Sequence, residues 1–235
     1  MSPQTPLVPS PAGVVPYSAL VRQFHAEPRG KLYCLHGSRF AFRIALSAAA
    51  QLLLRSIPVA LVDGTNRFDP YFIAEFARRV SSRGGPPPAA LLDRIYVSRA
   101  FTCYQMEAAV TEKLPSFIAR AGVPVAILFG PLDTFYDDQA PFFEVQAGVE
   151  RMIGALRRLR DNRIGVLTAS EDVRLASRER SRLFPRLAAA MDNVFRVTEA
   201  EGRPRILLEQ RPRLQADAPQ PVRPDERRLL APPAA

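Results

Sequence analysis

The sequence is poor in cysteine and in long apolar runs, and each scarcity excludes a class of protein. Cys34 and Cys103 are its only cysteines, and they stand far apart without the CxxC spacing of a metal or redox site. We therefore expect a reduced, cytoplasmic protein without a metal centre. The longest nearly apolar stretch, residues 44–54, is too short to span a bilayer, which takes about 20 residues. No apolar segment led by Lys or Arg opens the chain, so we expect neither a secretory signal nor a membrane partner.

Lysine is scarce as well, yet the chain is strongly basic. Lys31 and Lys113 are the only lysines, and the other 30 of the 32 basic residues are arginine, against 23 acidic residues. The net charge of +9 favours a polyanionic partner such as nucleic acid, whereas the alternative is a bias of genomic composition. The uneven distribution of charge favours a polyanionic partner. Residues 1–150 carry 14 basic and 12 acidic residues, whereas residues 151–235 carry 18 arginines and 11 acidic residues.

Proline is also in excess, and its placement divides the chain. The hydrophobic fraction of 47% and the charged fraction of 23% are ordinary for a globular protein with a core. Of the 23 prolines, five fall in residues 1–16 and six in residues 212–235. Proline removes backbone donors, and neither end has apolar periodicity. We therefore predict disordered tails at 1–16 and 212–235 around one core domain at 17–211.

Within this core, five short apolar runs typical of strands alternate with segments of helical length. The runs lie at residues 32–35, 59–62, 94–97, 125–129 and 164–167, and the helical segments at 40–55, 70–82, 104–120 and 145–160. This alternation predicts an α/β fold with a mainly parallel sheet and helices on both faces. Asp69 before Pro70 predicts an N-cap for the second helix. Residues 193–198 and 205–210 flank a polar turn and predict a C-terminal β-hairpin.

Several of these segments together resemble the core of the RecA-type recombinases, especially their archaeal and eukaryotic branch. The run Val-Asp-Gly-Thr-Asn-Arg-Phe-Asp-Pro at 62–70 is similar to the family's second strand and acidic loop. Residues 95–101 with Gln105 resemble its third strand and Arg-Ala-Phe turn, and residues 193–212 resemble its closing hairpin. The resemblance covers about residues 30–212 and implies a RecA-like core domain with a role in DNA repair or recombination.

The chain departs from this family at three places that its ATPase chemistry requires. A phosphate-binding loop of the form G-x-x-x-x-G-K-[ST] surrounds phosphate with backbone N–H groups and a lysine. Here Ala41, Phe42 and Arg43 align with the loop's second glycine, its lysine and its hydroxyl residue. Gly130 stands where the family's strand ends in a magnesium-positioning aspartate, and Thr65 replaces the water-activating glutamate. We therefore expect a pseudo-ATPase that neither hydrolyses ATP nor carries a cofactor.

A residual nucleotide site stays open as an alternative. It would use the backbone donors at the start of the first helix, where an anion is favoured. The vestigial nucleotide site would comprise Gly37, Ser38, Arg39, Arg43, Thr65 and Gly130. The competing interpretation, which we favour, is a plain strand-to-helix connection with its arginines in solvent. We likewise expect Asp63 to close a turn rather than to act in catalysis.

In the recombinases, the segment after the fifth strand is a loop that contacts DNA, and here that segment is rich in arginine. Guanidinium groups can donate paired hydrogen bonds to phosphate, and an aromatic ring can stack on an unpaired base. The candidate DNA-binding residues are Arg174, Arg178, Arg180, Arg182, Phe184 and Arg186. Two alternatives remain: Arg174, Arg178 and Arg182 share the i,i+4 spacing of a solvated helical face, and Phe184 can equally anchor the loop to the core.

The sequence thus predicts a RecA-fold paralogue without ATP hydrolysis that acts as an accessory factor in DNA repair or homologous recombination. It would bind single-stranded DNA, a recombinase-like protein partner, or both. Filament formation is not expected, because the F-x-x-A segment through which the family's archaeal and eukaryotic members assemble does not stand ahead of the core. The alternatives are a protein-interaction scaffold or inhibitor that binds no DNA, and a residual ATP-binding switch.

Overall fold

An α/β sheet with helices on both faces is formed by the residues that the computed structural model describes: 14–15, 20, 24, 30–82, 84–173, 177–200 and 203–210. In this part of the chain the sheet has eight strands: β1 (Val14–Val15), β2 (Leu32–Gly37), β3 (Val59–Asp63), β4 (Ile95–Arg99), β5 (Val125–Phe129), β6 (Gly165–Ala169), β7 (Asn193–Ala200) and β8 (Arg203–Gln210). They lie in the order β1-β8-β7-β2-β6-β5-β3-β4. The pairs from β7 through β4 are parallel, and β8 pairs antiparallel with β7 and with β1.

The helices divide into two layers, one on each face of the sheet. In chain order they are α1 (Phe40–Leu54), α2 (Pro70–Ser81), α3 (Pro88–Leu92), α4 (Cys103–Ala108), α5 (Leu114–Ala121), α6 (Phe142–Asp161) and α7 (Leu183–Ala189). Successive strand residues point to opposite faces. Tyr33 and Leu35 of β2 therefore pack in the layer of α1, α2 and α3, while Leu32 and Cys34 pack in the layer of α4 to α7.

The predicted α/β fold, with a mainly parallel sheet and a C-terminal antiparallel strand pair, is confirmed. Each predicted core strand lies within two residues of its observed bounds. Asp69 caps α2 as expected, since its side chain accepts hydrogen bonds from the N–H groups of Tyr71 and Phe72. The predicted helix at 104–120 is instead interrupted by a π-helical turn at Ala109–Lys113, which joins α4 to α5. Helices α3 and α7 were not predicted.

The predicted tails lie almost entirely outside the described residues. The exception is β1, whose Val14 and Val15 pair with Leu207 and Ile206 of β8. The outer edge of β8 offers unpaired backbone groups, and β1 satisfies some of them. Part of the segment predicted as a tail is therefore a strand of the sheet.

Strand order places two switch points at the carboxyl edge of the sheet. The chain moves in one direction from β2 to β3 to β4, with α1, α2 and α3 on one face, and then returns through β5 and β6 to β7 on the other face. The neighbours β3 and β5, like the neighbours β2 and β6, therefore send their connections to opposite faces. Such switch points leave open space beyond the strand ends, where α/β sheets bind ligands.

The cysteines and helices add no further site to this edge. Cys34 and Cys103 are both buried and form no disulfide, and burial raises the pKa of the Cys34 thiol to about 12. Among the described residues, no helix has both the length and the apolar character that crossing a bilayer requires. Within the same residues, no three His, Cys, Asp or Glu side chains converge as a metal site.

Candidate functional site

The connection from β2 to α1 occupies the place of a phosphate-binding loop, and it is only two residues long. Gly37 ends β2 with φ of +119°, and a Cβ at this position would lie 2.3 Å from the carbonyl oxygen of Val197. The Ser38 N–H donates to that same carbonyl over 2.8 Å, and α1 begins at Phe40. The Ser38 N–H, the first backbone donor after β2, is thus already bonded to β7 rather than free to meet a phosphate.

The first turn of α1 fills with hydrophobic side chains where the family places charge. Ala41 and Phe42 are buried, and the Phe42 ring meets the Phe129 ring of β5 edge-on, with centroids 5.2 Å apart and an interplanar angle of 70°. The F-x-x-A motif does occur from Phe42 to Ala45, but both side chains of α1 are buried in the protein and are not available to a second chain. Phe42 is therefore a core residue.

The arginines of the vestigial nucleotide site are exposed at the start of α1 and lie over different aromatic rings. Arg39 is exposed and lies over the Phe40 ring at 5.8 Å. Arg43 is exposed and lies over the Phe72 ring at 5.9 Å. The buried hydroxyl of Ser38 has no hydrogen-bond partner among the described residues. Each guanidinium group therefore lies over a different aromatic ring.

Asp63, at the end of β3, closes the following turn as expected. Its buried carboxylate accepts hydrogen bonds from the N–H groups of Thr65, Arg67 and Phe68 and from the Thr65 hydroxyl, over 2.9–3.2 Å. Four donors occupy the lone pairs of one carboxylate. Asp63 and Thr65 thus form a structural unit, and the Thr65 hydroxyl is used within it.

Asp133 is a carboxylate at this edge that the sequence analysis missed. Gly130 directly follows β5 with φ of +54°, and a Cβ there would lie 2.7 Å from Asp133 Cγ and 2.0 Å from Thr65 Cγ2. The turn that follows therefore returns Asp133 to the strand end. Burial and the charge of Glu171 raise the pKa of Asp133 from 3.8 to about 6, although Arg67 opposes the shift. The sequence feature that could have indicated this position of Asp133 is the Gly-Pro pair at 130–131, which predicts a reversal of the chain after the strand.

These side chains line a crevice of about 360 Å³ beyond the ends of β3 and β5. Its charged residues are Arg67, Asp133, Asp137 and Glu171, and its aromatic walls are Phe42 and Phe101. Thr65 is the one member of the vestigial nucleotide site that lines this crevice. Three carboxylates against one guanidinium give the crevice a negative charge, opposite in sign to what a nucleotide needs.

Comparison with known proteins assigns nothing to this geometry. No family model matches the chain, and no curated protein matches it. What the site can do follows from its own contacts.

The arginine segment after β6 lies at the same edge, but its side chains have different surroundings. Arg174 lies outside the described residues. Arg178 and Arg182 are exposed. Arg186 is also exposed, and its guanidinium pairs with Glu150 of α6 over 2.8 Å. Two exposed guanidinium groups and one surface ion pair therefore face solvent in this segment.

Arg180 differs from its neighbours because it is buried. Its Nη1 and Nη2 groups donate to the carbonyl oxygens of Phe135 and Ala140, and its Nε pairs with Asp138 over 3.0 Å. All three nitrogens are used within the protein. Arg180 is thus a structural side chain that fastens the segment to the loop after β5, and in this structure it is not presented to DNA.

Phe184 packs against the buried ring of His36, which lies within a network of partly exposed charges. Its ring centroid is 4.6 Å from that of His36. The ring nitrogens of His36 lie 3.2 Å from Asp172 and 2.7 Å from Glu209, and Arg196 pairs with both carboxylates over 2.9 and 2.6 Å. Burial opposes ionisation of Glu209, but the hydrogen bonds from Arg196 and His36 hold its pKa below the usual value. Phe184 therefore anchors the segment, as the alternative interpretation held.

A second open surface lies along β4, far from the arginine segment. Among the described strands β4 pairs with β3 alone, so its outer edge is free. Tyr96 and Val97 of β4 are exposed, and the Tyr96 ring lies 4.9 Å from that of Phe117. A groove of about 650 Å³ runs between this strand and α5, with Lys113 and Arg120 at its rim. An exposed strand edge beside an apolar groove can accept an added strand.

Proposed function

We propose that this chain is a RecA-type core that does not hydrolyse ATP and that serves as an accessory factor in DNA repair or homologous recombination. It binds single-stranded DNA through the exposed arginines after β6. The observation that carries the proposal is the β2–α1 turn, in which Ser38 is bonded to Val197 and Phe42 fills the place of the phosphate-binding lysine. The order of strands and helices along the chain supports the RecA-type assignment.

The charges at the carboxyl edge support the loss of ATP chemistry. Phosphoryl transfer depends on cations that neutralise the phosphates. The crevice beyond β3 and β5 offers Arg67 alone against Asp133, Asp137 and Glu171. Lys31 precedes β2 at the opposite edge of the sheet, and Lys113 lies in the π-helical turn beside β4. Neither lysine is placed to meet a phosphate at this edge.

The DNA-binding part of the proposal concerns the exposed arginines after β6. Arg178 and Arg182 are the described, exposed arginines of the segment that form no ion pair within the described residues, and Arg186 adds a third guanidinium already paired with Glu150. Each phosphate contact to a single strand contributes about −0.7 to the slope of log K against log salt. Loss of two contacts therefore reduces the slope by about 1.4.

The test is a salt titration of the affinity for an oligothymidine between 50 and 200 mM NaCl. The wild type is compared with the Arg178→Ala/Arg182→Ala variant and with a matched control, Arg157→Ala/Arg158→Ala. The control removes the same charge from exposed positions of α6 near the opposite edge. We expect a weaker affinity and a shallower slope for the first variant alone. Equal slopes in all three proteins, or no binding by the wild type, would refute the DNA-binding function.

The free edge of β4 favours a second candidate function, the docking of a recombinase-like protein. Backbone groups of β4 can pair with a strand of the partner, while the groove beside Phe117 receives its side chains. Val97→Arg places a charge on this edge, and Val173→Arg places the same charge at an exposed position elsewhere. After nuclease treatment, we expect a RecA-type recombinase to be retained by the wild type and by Val173→Arg but not by Val97→Arg. Retention by Val97→Arg would exclude this docking surface.

The residual ATP-binding switch is tested separately by a thermal shift with Mg-ATP. Ligand that binds only the folded state raises the melting temperature in a saturable manner. We expect no such rise, because the crevice is acidic and the Ser38 N–H is already bonded to Val197. A saturable rise of several degrees would show that a nucleotide still binds.

A further inference from the structure

The outer edge of β4 is the longest continuous strand edge that the described sheet leaves open. At the other end of this sheet, β1 pairs with Ile206 and Leu207 and divides the edge of β8 into shorter pieces. Edge strands are commonly protected by proline, lysine or a bulge. Strand β4 contains neither residue type, pairs with β3 in a regular register, and is exposed over residues 96–99. It is therefore open to an added strand.

A second copy of the chain would offer the same edge, so the two copies would be related by a two-fold axis. An axis perpendicular to the sheet makes the two β4 strands antiparallel, with Val97 at the centre of the five-residue strand. Tyr96 then lies opposite Ser98 of the second copy, and Ile95 lies opposite Arg99 of the second copy. This register sets a large side chain against a small one and places no two like charges directly opposite each other.

The charges along the groove between β4 and α5 are complementary to their own reversed order. Glu112, Ser116 and Arg120 follow one another at four-residue spacing, are exposed and line this groove. Neither Glu112 nor Arg120 forms an ion pair within the described residues. The helical segment runs from the carboxyl end of β4 to the amino end of β5, so Glu112 lies toward one edge of the sheet and Arg120 toward the other.

The two-fold axis reverses this order in the second copy, so that Glu112 of each copy lies toward Arg120 of the other. Opposite charges at the rims of two apposed surfaces favour that orientation over its alternatives. Lys113 lies beside Glu112 at the same rim and leaves each groove with one excess positive charge. This excess opposes association, so we expect a weak and reversible dimer.

We propose that β4 pairs with β4 of a second copy, and that the two grooves meet in a symmetric dimer. A two-fold interface closes on itself and therefore does not extend into a filament. Because β4 cannot pair with a second copy and a recombinase-like protein at once, the dimer masks the docking surface of the second candidate function. The inference does not rest on that function or on DNA binding, since it concerns the protein alone.

The first test is sedimentation velocity of the nuclease-treated full chain alone, between 1 and 200 μM at 100 mM NaCl. We expect a reversible dimer of the wild type, and a dimer at least tenfold weaker for Glu112→Arg and for Arg120→Glu, because each change affects two symmetry-related pairs. The Glu112→Arg/Arg120→Glu variant restores opposite charges and should dimerise within threefold of the wild type. The control Arg157→Glu alters an exposed position of α6 away from the groove and should dimerise like the wild type.

Three results of this test would overturn the proposal. The first is a wild type that stays monomeric at every concentration, which would leave the groove to a different protein. The second is a dimer of Glu112→Arg or Arg120→Glu as tight as that of the wild type. The third is a double variant as weak as the single ones, since the charges would then not face each other.

The second test examines the register by cross-linking. Opposite Cα atoms in an antiparallel pair lie about 4.5–5.5 Å apart, a distance that a disulfide spans. Val97→Cys places its thiol at the two-fold axis, and the control Val173→Cys places one at an exposed position elsewhere. The native Cys34 and Cys103 are buried. With O₂ and copper phenanthroline as oxidant, we expect a cross-linked dimer of Val97→Cys alone. Equal cross-linking of both variants, or none of Val97→Cys, would refute the pairing.

Discussion

Replacement of Asp133 by asparagine is expected to stabilise the protein at neutral pH, although it alters a partly buried polar residue. In the folded state burial and Glu171 raise the pKa of Asp133 from 3.8 to about 6. The folded state therefore holds this proton more tightly than the unfolded chain does. The stability that the proton contributes is fully present below about pH 4 and is lost as the pH rises through about 6.

The size of the effect follows from the shift of about two pKa units. Each unit corresponds to about 1.36 kcal/mol, so ionised Asp133 costs the folded state roughly 3 kcal/mol, and somewhat less after solvent screening. Asparagine has a similar shape and no charge. We expect Asp133→Asn to gain about 2 kcal/mol in free energy of unfolding at pH 7.5, and to equal the wild type near pH 4.

Urea denaturation of the wild type, Asp133→Asn and the control Asp93→Asn at pH 4, 6 and 7.5 measures this difference. Asp93 is exposed at the end of α3, so its replacement should leave the pH dependence unchanged. The reasoning is refuted if Asp133→Asn is less stable than the wild type at pH 7.5. It is equally refuted if the difference between the two does not vary with pH.

Two further predictions concern residues that the fold uses directly. Arg180→Met removes the guanidinium that bonds to Phe135, Ala140 and Asp138. We expect its free energy of unfolding, measured by urea denaturation, to fall by about 3 kcal/mol. A variant as stable as the wild type would contradict the structural role of Arg180. Gly37→Ala places a Cβ 2.3 Å from a β7 carbonyl at positive φ, so its melting temperature should fall by many degrees or the chain should not fold. The matched Gly154→Ala lies within α6, where its Cβ meets Arg158 at 3.5 Å, and it should gain up to about 1 kcal/mol.

The elements of the fold that local sequence patterns determine were predicted from the sequence. Strand β5 was predicted with its observed ends, because an unbroken apolar run bounded by Pro124 and Gly130 has few other solutions. The π-helical turn at Ala109–Lys113 was not predicted, since apolar periodicity runs through it without a break. The RecA-type assignment rests on element order and motifs, and it stays a proposal.

The candidate site was less accessible to prediction, because its geometry depends on contacts between distant residues. Arg178 and Arg180 stand two residues apart in the same arginine-rich segment, yet contacts with Phe135, Asp138 and Ala140, 40 to 45 residues away, make only Arg180 structural. His36 contacts Asp172 and Glu209, which lie 136 and 173 residues away along the chain, and no local motif predicts such a cluster. Asp133 was missed because the carboxylate was sought at the strand end itself, whereas the turn after Gly130 returns it there.

The bonds of Arg180 make two loops of the carboxyl edge a single cooperative unit. The loop after β5 and the segment after β6 are joined through a buried cation, so neither can open without leaving that charge or its carbonyl partners unsatisfied. Their local opening free energies should therefore be alike, and their amide protons should exchange together. The acidic crevice and the exposed arginines would then order and disorder as one, and whatever binds either of them stabilises both.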